Sequence, residues 1–448
     1  MGMREMKDSG IEWIGQIPKV WNLVKFSKIC NKITDFVASG SFESLRKNVP
    51  YLDEPDYALL VRTTDLSGSA RSESKVYISE SSYIFLKNSN LFGGEIILPN
   101  IGASVGDVYE VPVLYKYMSL APNSIMFSTN YIDKYYYYYF FCDAGRLAVL
   151  NIAQSTAQPK FNKTQLRDLR VCVPSLIEQQ RIATFLDEKC KDIDNLITLQ
   201  EEMIAELQAY KQSVISEAVT KGLNPNVPMK DSGVEWIGEI PEQWSVIRLR
   251  HLGNLQNGIS KGGDYFGEGC PFLNYGDAYQ NMFLKEPLSG LAKSNEEDQN
   301  TYSVKEGDVF FTRTSETVEE IGFSSACLKT IDKAIFSGFL IRFRPKTSDL
   351  NSKFGGYYFR SNIHRRYFVK EMNLVTRASL GQNLLKNLPV ILPPLAEQQA
   401  IADYLDTKCS QIDELIALKQ QKITELQDYK KSLIYEYVTG KKEVPVNH

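Results

Sequence analysis

Few residues in this chain could do chemistry on their own. Pro55-Asp56 followed by Glu73-Ser74-Lys75 fits the loose pattern in which two carboxylates hold Mg²⁺ and a Lys assists phosphodiester hydrolysis. That pattern fixes few residues and has no counterpart in the second half of the chain. Asp56, just before an apolar run, reads as a turn residue. His251, His364 and His448 are the only histidines, too few for a His-based metal or catalytic cluster. Seven Cys with no C-x-x-C pair argue against zinc and against a disulfide framework, and for reduced thiols in a cytosolic setting. No Walker loop, Rossmann glycine fingerprint, G-x-S-x-G or N-P-P-[YF] segment occurs. The chain alone is therefore expected to be non-catalytic, with no metal and no cofactor of its own.

Binding chemistry remains. The net charge of −3 hides an uneven distribution. Residues 178–221 are acidic, whereas 342–390 carry ten basic and two acidic residues. An anionic partner would be drawn to the second stretch and repelled by the first. Arg, Lys, Asn and Gln read base edges, and most cationic contacts go to phosphates. Were that anionic partner DNA, the candidates for contact would be Arg313, Arg342, Arg344, Arg360, Arg365, Arg366, Lys370 and Arg377. Arg62, Arg71, Lys75, Lys160 and Lys163 are their weaker counterparts in the first half. A base-stacking platform at Tyr135–Phe141 (YYYYYFF) is disfavoured, because consecutive aromatics on a helix point all round. They read as a buried helix.

These residues must be held by something, and the holding elements are repeated. Glu178–Thr220 returns at Glu397–Thr439 without a gap, about 25 of 43 positions being identical. Both copies lack Gly and Pro and are rich in helix formers. Ile193, Ile197, Ile204, Leu207 and Val214 fall on one 3-4 stripe, as do Ile412, Ile416, Ile423, Leu426 and Leu433. This spacing predicts a coiled-coil seam, and two such helices in one chain most simply pair with each other. Gln200, Lys419, Lys211 and Lys430 interrupt the stripe. Cys190 and Cys409 hold equivalent positions and read as buried small hydrophobes.

A second repeat opens each half: Lys7–Trp21 (KDSGIEWIGQIPKVW) and Lys230–Trp244 (KDSGVEWIGEIPEQW). Between these markers the halves diverge. Short strands are expected at Tyr57–Arg62, Lys75–Ile78, Glu95–Leu98, Asp107–Val111 and Ser124–Phe127, then a helix at Tyr131–Leu150. In the second half they are expected at Pro271–Tyr275, Asp308–Thr312, Phe323–Leu328 and Phe339–Arg344, then a helix at Lys353–Lys370. No signal peptide is expected, and the longest apolar-aromatic run is far too short to span a bilayer.

The openers KDSG-x-EWIG-x-IP, with the helix entries PSLIEQQRIATFLD and PPLAEQQAIADYLD, resemble those of the specificity subunits of type I restriction–modification systems. The resemblance covers essentially the whole chain. It implies an α+β fold: two α/β target recognition domains separated by two long helices that form an antiparallel coiled coil, with an internal pseudo-two-fold repeat. The implied boundaries are 1–174 and 223–393 for the recognition domains, and 175–222 and 394–448 for the helical regions. It implies a cytoplasmic, non-catalytic subunit that reads a bipartite, asymmetric site on double-stranded DNA. The helices would set the spacing and dock two modification (methyltransferase) subunits, with restriction (endonuclease and translocase) subunits added for cleavage. S-adenosylmethionine, ATP and Mg are then expected on those partners. A coiled-coil scaffold with no DNA role and a stand-alone metal-dependent nuclease are the alternatives.

Overall fold

Leu176–Lys221 and Leu395–Val438 are single helices of 46 and 44 residues. Each begins just after a proline, which cannot continue a preceding helix but suits the approach to a new one. The first is capped by Ser175, whose Oγ accepts from Glu178 N. Each ends at a glycine in the left-handed region, Gly222 (φ 77°) and Gly440 (φ 73°). A side chain at Gly440 would also meet Pro18 at 2.5 Å.

The computed structural model describes residues 4–67, 74–153, 158–315, 321–364, 367–368 and 378–445. They fall into two units, Met1–Gln200 with Gln421–His448, and Glu201–Gln420. Within the first unit, the start of the first long helix runs antiparallel to the end of the second. The Phe185 and Tyr437 rings lie 4.6 Å apart, and Lys430 Nζ donates to both Asp194 carboxylate oxygens at 2.7 Å. Within the second unit, Val214, Ile215, Ala218 and Val219 pack with Ile401, Ala402, Leu405 and Cys409. There Lys211 Nζ holds both oxygens of Asp413 at 2.7 Å. Ile193, Val214, Ile412, Ile423 and Leu433 are buried; Ile197, Ile204, Leu207, Ile416 and Leu426 are half-buried. Partial burial suits a two-stranded coil, which covers each helix on one side only. Two of the polar interruptions, Lys211 and Lys430, thus carry ion pairs at corresponding places.

The two domains that precede the long helices share one topology. In the first, an antiparallel sheet runs in the order Cys30–Asp35, Ser124–Thr129, Ile96–Pro99, Tyr109–Glu110. A second sheet runs Tyr77–Ile78, Ala58–Val61, Met118–Leu120, Asn90–Leu91, with its two central strands parallel. The second domain repeats both. Gly253–Asn257, Leu340–Pro345, Val309–Thr312 and Ser324–Ala326 form the antiparallel sheet. Gly290–Ala292, Phe266–Leu273, Ile331–Phe336 and Ser303–Val304 form the sheet with a parallel central pair. A two-stranded ribbon ties the start of each domain to its end: Asn22–Lys25 with Arg170–Val173, and Ser245–Arg248 with Pro389–Leu392.

The two expected long domain helices are each broken. Tyr131–Leu150 is two helices, Asp133–Phe141 and Asp143–Ile152, with Cys142 extended (ψ 161°) between them. The expected helix at Lys353–Lys370 stops at Arg360, where Ser361 (ψ 157°) has the same conformation. In the first domain the chain doubles back so closely that a Cβ at Gly145 would lie 1.9 Å from the Tyr139 carbonyl oxygen.

The same contacts fasten each domain to its helix. Trp21 Nε1 donates to Glu178 Oε2 at 2.8 Å, and Trp244 Nε1 to Glu397 Oε2 at 2.7 Å; both indoles are fully buried. Tyr138 Oη donates to Asp187 at 2.7 Å, and Tyr357 Oη to Asp406 at 2.8 Å. Lys134 and Lys353 pair with those same carboxylates. The buried Gln179 and Gln398 each join the preceding proline carbonyl to a backbone N–H of the domain, at Ile132 and Asn351. Cys190 and Cys409 are buried beside these contacts, and burial pushes the Cys190 thiol up to about 11.

Candidate nucleic-acid interface

The three described arginines of the basic stretch, Arg342, Arg344 and Arg360, are turned inward. Arg342 Nη1 donates to the Ser303 carbonyl at 2.6 Å, and its Nη2 bonds to Gln256 Oε1. Its guanidinium lies over Phe336, 5.2 Å from the ring centroid. Burial, with neighbouring Arg344 adding to it, lowers its pKa to about 10, so it stays cationic at neutral pH. Arg344 grips the fully buried Asp308 through Nε and Nη2, both at 2.6 Å, and also bonds to Ser303. The two arginines therefore staple the antiparallel sheet to the edge strand of the other sheet. Arg360 donates to the carbonyls of Ala278, Tyr279 and Ser324 and stacks over Phe323 at 4.4 Å. It caps the C-terminal end of the helix Tyr275–Gln280, where a cation is favoured.

Arg313 is half-buried, with Nη1 on the Gly338 carbonyl at 3.1 Å. In the first domain Arg62 clamps Asp65 and the Ser74 carbonyl. Lys163 pairs with Asp35 at 2.7 Å. Lys75 and Lys160 are exposed. Arg71, Arg365, Arg366, Lys370 and Arg377 lie outside the described residues. Of the described cations in 342–390, Lys353 is bound to Asp406, and only Lys346 and Lys386 are exposed.

The other motifs also have definite places. Tyr135, Tyr136, Tyr138, Tyr139 and Phe140 are buried, so the aromatic run is a core helix. Asp56 is exposed and accepts from its neighbour's N–H, at Tyr57; Glu73 lies outside the described residues. Among the described residues no group of three or more His, Cys, Asp or Glu is placed to hold a metal ion. No helix among them is long and apolar enough to cross a membrane.

Charge counting overlooked one polar pair. Gln382 Nε2 donates to Asn257 Oδ1 at 3.0 Å on the surface of the second domain. Neutral amides leave no trace in a charge profile. The sequence did carry a signal, since aligning Leu166-Arg-Asp-Leu with Leu385-Lys-Asn-Leu places Lys163 opposite Gln382.

Comparisons with known proteins agree with one another. Residues 19–209 and 241–428 match the model of the type I restriction modification DNA specificity domain. The type I restriction enzyme MjaVIII specificity subunit of Methanocaldococcus jannaschii is 27% identical over 293 residues, 64% of this chain and 65% of that protein. A second protein of that organism, provisionally named the type I restriction enzyme MjaX specificity subunit, is 26% identical over 96% of this chain and 95% of its own length. Among solved structures, a chain from work on complex assembly and conformational transition of the type I R-M system superposes with a TM-score of 0.68. It is 15% identical, covering 95% of this chain and 99% of that one. The HsdS subunit from Thermoanaerobacter tengcongensis gives 0.50 at 14% identity, over 95% and 98%.

Proposed function

We infer that this chain, which belongs to the family of type I restriction modification DNA specificity domains, is the DNA sequence-recognition subunit of such a system and has no catalytic activity of its own. Each recognition domain reads one half of a bipartite, asymmetric site. The coiled coil sets the spacing and docks two modification subunits, which methylate adenine. Restriction subunits join them for cleavage. S-adenosylmethionine, ATP and Mg belong to those partners, and the assembly works in the cytoplasm.

The observation that carries this reading is the division between what repeats and what differs. The Trp–Glu, Tyr–Asp, Lys–Asp and Gln contacts recur at corresponding places in both units. The domain surfaces they hold have different side chains on one topology. Identical mounts with different faces suit a molecule that presents two different readers to one kind of polymer. Function then lies in the mounted surface rather than in the fold.

Exchange of residues 22–170 for the matching segment of a relative tests this. With modification subunits added, methylation mapping should find one half-site replaced and the other unchanged. Two unchanged half-sites in an active complex would overturn the reading.

A further inference from the structure

The polar pairs Asp35–Lys163 and Asn257–Gln382 occupy the same place in their respective domains. In the first, Asn123 O accepts from Asn100 N at 3.0 Å, and Asn100 O accepts from Phe161 N at 3.0 Å. In the second, Phe339 O accepts from Arg313 N at 3.0 Å, and Arg313 O accepts from Leu380 N at 2.7 Å. The same backbone circuit thus makes Asn123 the counterpart of Phe339. Asp35 opposes Ile125 and Asn257 opposes Ile341, each two residues past its turn residue. Lys163 and Gln382 each follow their circuit by two residues.

An aromatic and a cation accompany each pair. In the first domain Phe42, 79% exposed, lines a cleft of about 370 Å³ with Phe36, Arg46, Tyr51 and Pro122; Phe36 and Pro122 are the chain neighbours of Asp35 and Asn123. In the second, Phe339 is 62% exposed at the tip of its turn. That turn is rigid. Gly338 N donates to Ile259 O at 2.8 Å, and Gly338 O accepts from Arg313 Nη1 at 3.1 Å. A Cβ on Gly338 would lie 2.2 Å from Ser260 Oγ, whose chain neighbour Lys261 is exposed and lies over the Tyr265 ring at 5.6 Å. A ring held on a braced turn is preorganised for a partner.

The pairs themselves are interchangeable as structure, since one domain uses charges where the other uses amides. They are not interchangeable as recognition chemistry. Two amides joined by one N–H···O bond leave a donor and an acceptor, the complement of the N7 acceptor and N6 donor of adenine. A phenyl ring beside them suits the thymine methyl. A Lys–Asp pair offers ammonium donors for guanine O6 and N7 and a carboxylate acceptor for cytosine N4.

We propose that this edge is the base-reading surface of each domain, the Asn257–Gln382 pair with Phe339 favouring an A·T pair and the Asp35–Lys163 pair a G·C pair. The proposal rests on the DNA-reading function above. The test is reciprocal exchange, D35N/K163Q and N257D/Q382K, in the complex with its modification subunits, read by methylation mapping over a randomised site library. Each variant imports a pair that the other domain already accommodates, so folding should survive; melting temperatures check this. D35N/K163Q should move one position of its own half-site from G·C towards A·T by about tenfold to a hundredfold and leave the other half-site alone. N257D/Q382K should do the reverse in the second. Phe339→Ala, at an exposed position, should relax discrimination in the second half-site even if a pair variant misfolds. Unchanged base preferences in the pair variants and in Phe339→Ala would overturn the proposal. If exchanging residues 22–170 still replaces a half-site, the reading of the chain stands and only the edge is wrong; if that exchange also changes nothing, the reading itself fails.

Discussion

Trp21 and Glu178 show how much can hang on one acceptor. The indole N–H is buried and donates to a carboxylate that also holds Arg4, whose guanidinium lies over the same ring at 5.2 Å. Glu178→Ala leaves a buried donor without a partner, which costs about 1–3 kcal/mol. Urea unfolding should register that loss. Glu178→Gln, which keeps a carbonyl acceptor, should lose less, and Glu397→Ala should repeat the effect through Trp244. Equal midpoints for Glu178→Ala and the parent would mean that the bond contributes nothing net. The arginines teach the opposite lesson about legibility. Residue type was readable and orientation was not: Arg342, Arg344 and Arg360 look like a cationic face in the sequence but bond to carbonyls and Asp308 in the fold. Composition cannot tell an arginine aimed at phosphate from one that staples two sheets.

Helices are where sequence and structure agree best. A 3-4 stripe over six turns, a proline before it and a glycine after it mark both ends of each long helix. The domain strands overlap the expected segments, because Ala58–Val61 and Ile96–Pro99 are continuous apolar runs buried on both faces. Cys30–Asp35 and Gly253–Asn257 were not legible, since they are mostly polar and gain their place only by pairing with distant strands. The breaks at Cys142 and Ser361 were hidden too, because neither residue forbids a helix and only packing imposes the turn. The coil also carries a test of spacing. Four residues inserted within Glu201–Ala205 lengthen the first helix by about 6 Å and rotate its remaining turns by about 40° beyond a full turn. Lys211 then loses Asp413, a partly exposed pair worth about 0.3–1 kcal/mol, which the coil can spare. Methylation mapping should find the same half-sites with a spacer longer by about one or two base pairs. An unchanged spacer at full activity would show that the helices do not set the distance.

At the scale of the whole molecule, the first unit is built from both ends of the chain. Gly440 rests on Pro18 and Trp21, and Lys441 Nζ donates to Ile14 O at 2.9 Å. The exposed segment 223–226 links the first long helix to the second opener, Lys230–Trp244, whose strands Met229–Asp231 and Glu239–Pro241 pair antiparallel. Joining the termini and opening the chain at Asn224–Asn226 should give a folded, DNA-binding permutant. An insoluble product with normal helix content would count against it. The same construction sets a timetable. Leu433, Ile434, Tyr437 and Val438 belong to the core that Ile182, Phe185 and Leu186 face. The second unit, Glu201–Gln420, is one uninterrupted stretch. On a ribosome adding about 5–20 residues each second, the domain made first waits roughly ten to fifty seconds for the helix that closes it. Throughout that interval its apolar helix face is bare, so the older half of the newborn chain is the half that chaperones must guard, and its neighbour, made later, is finished first.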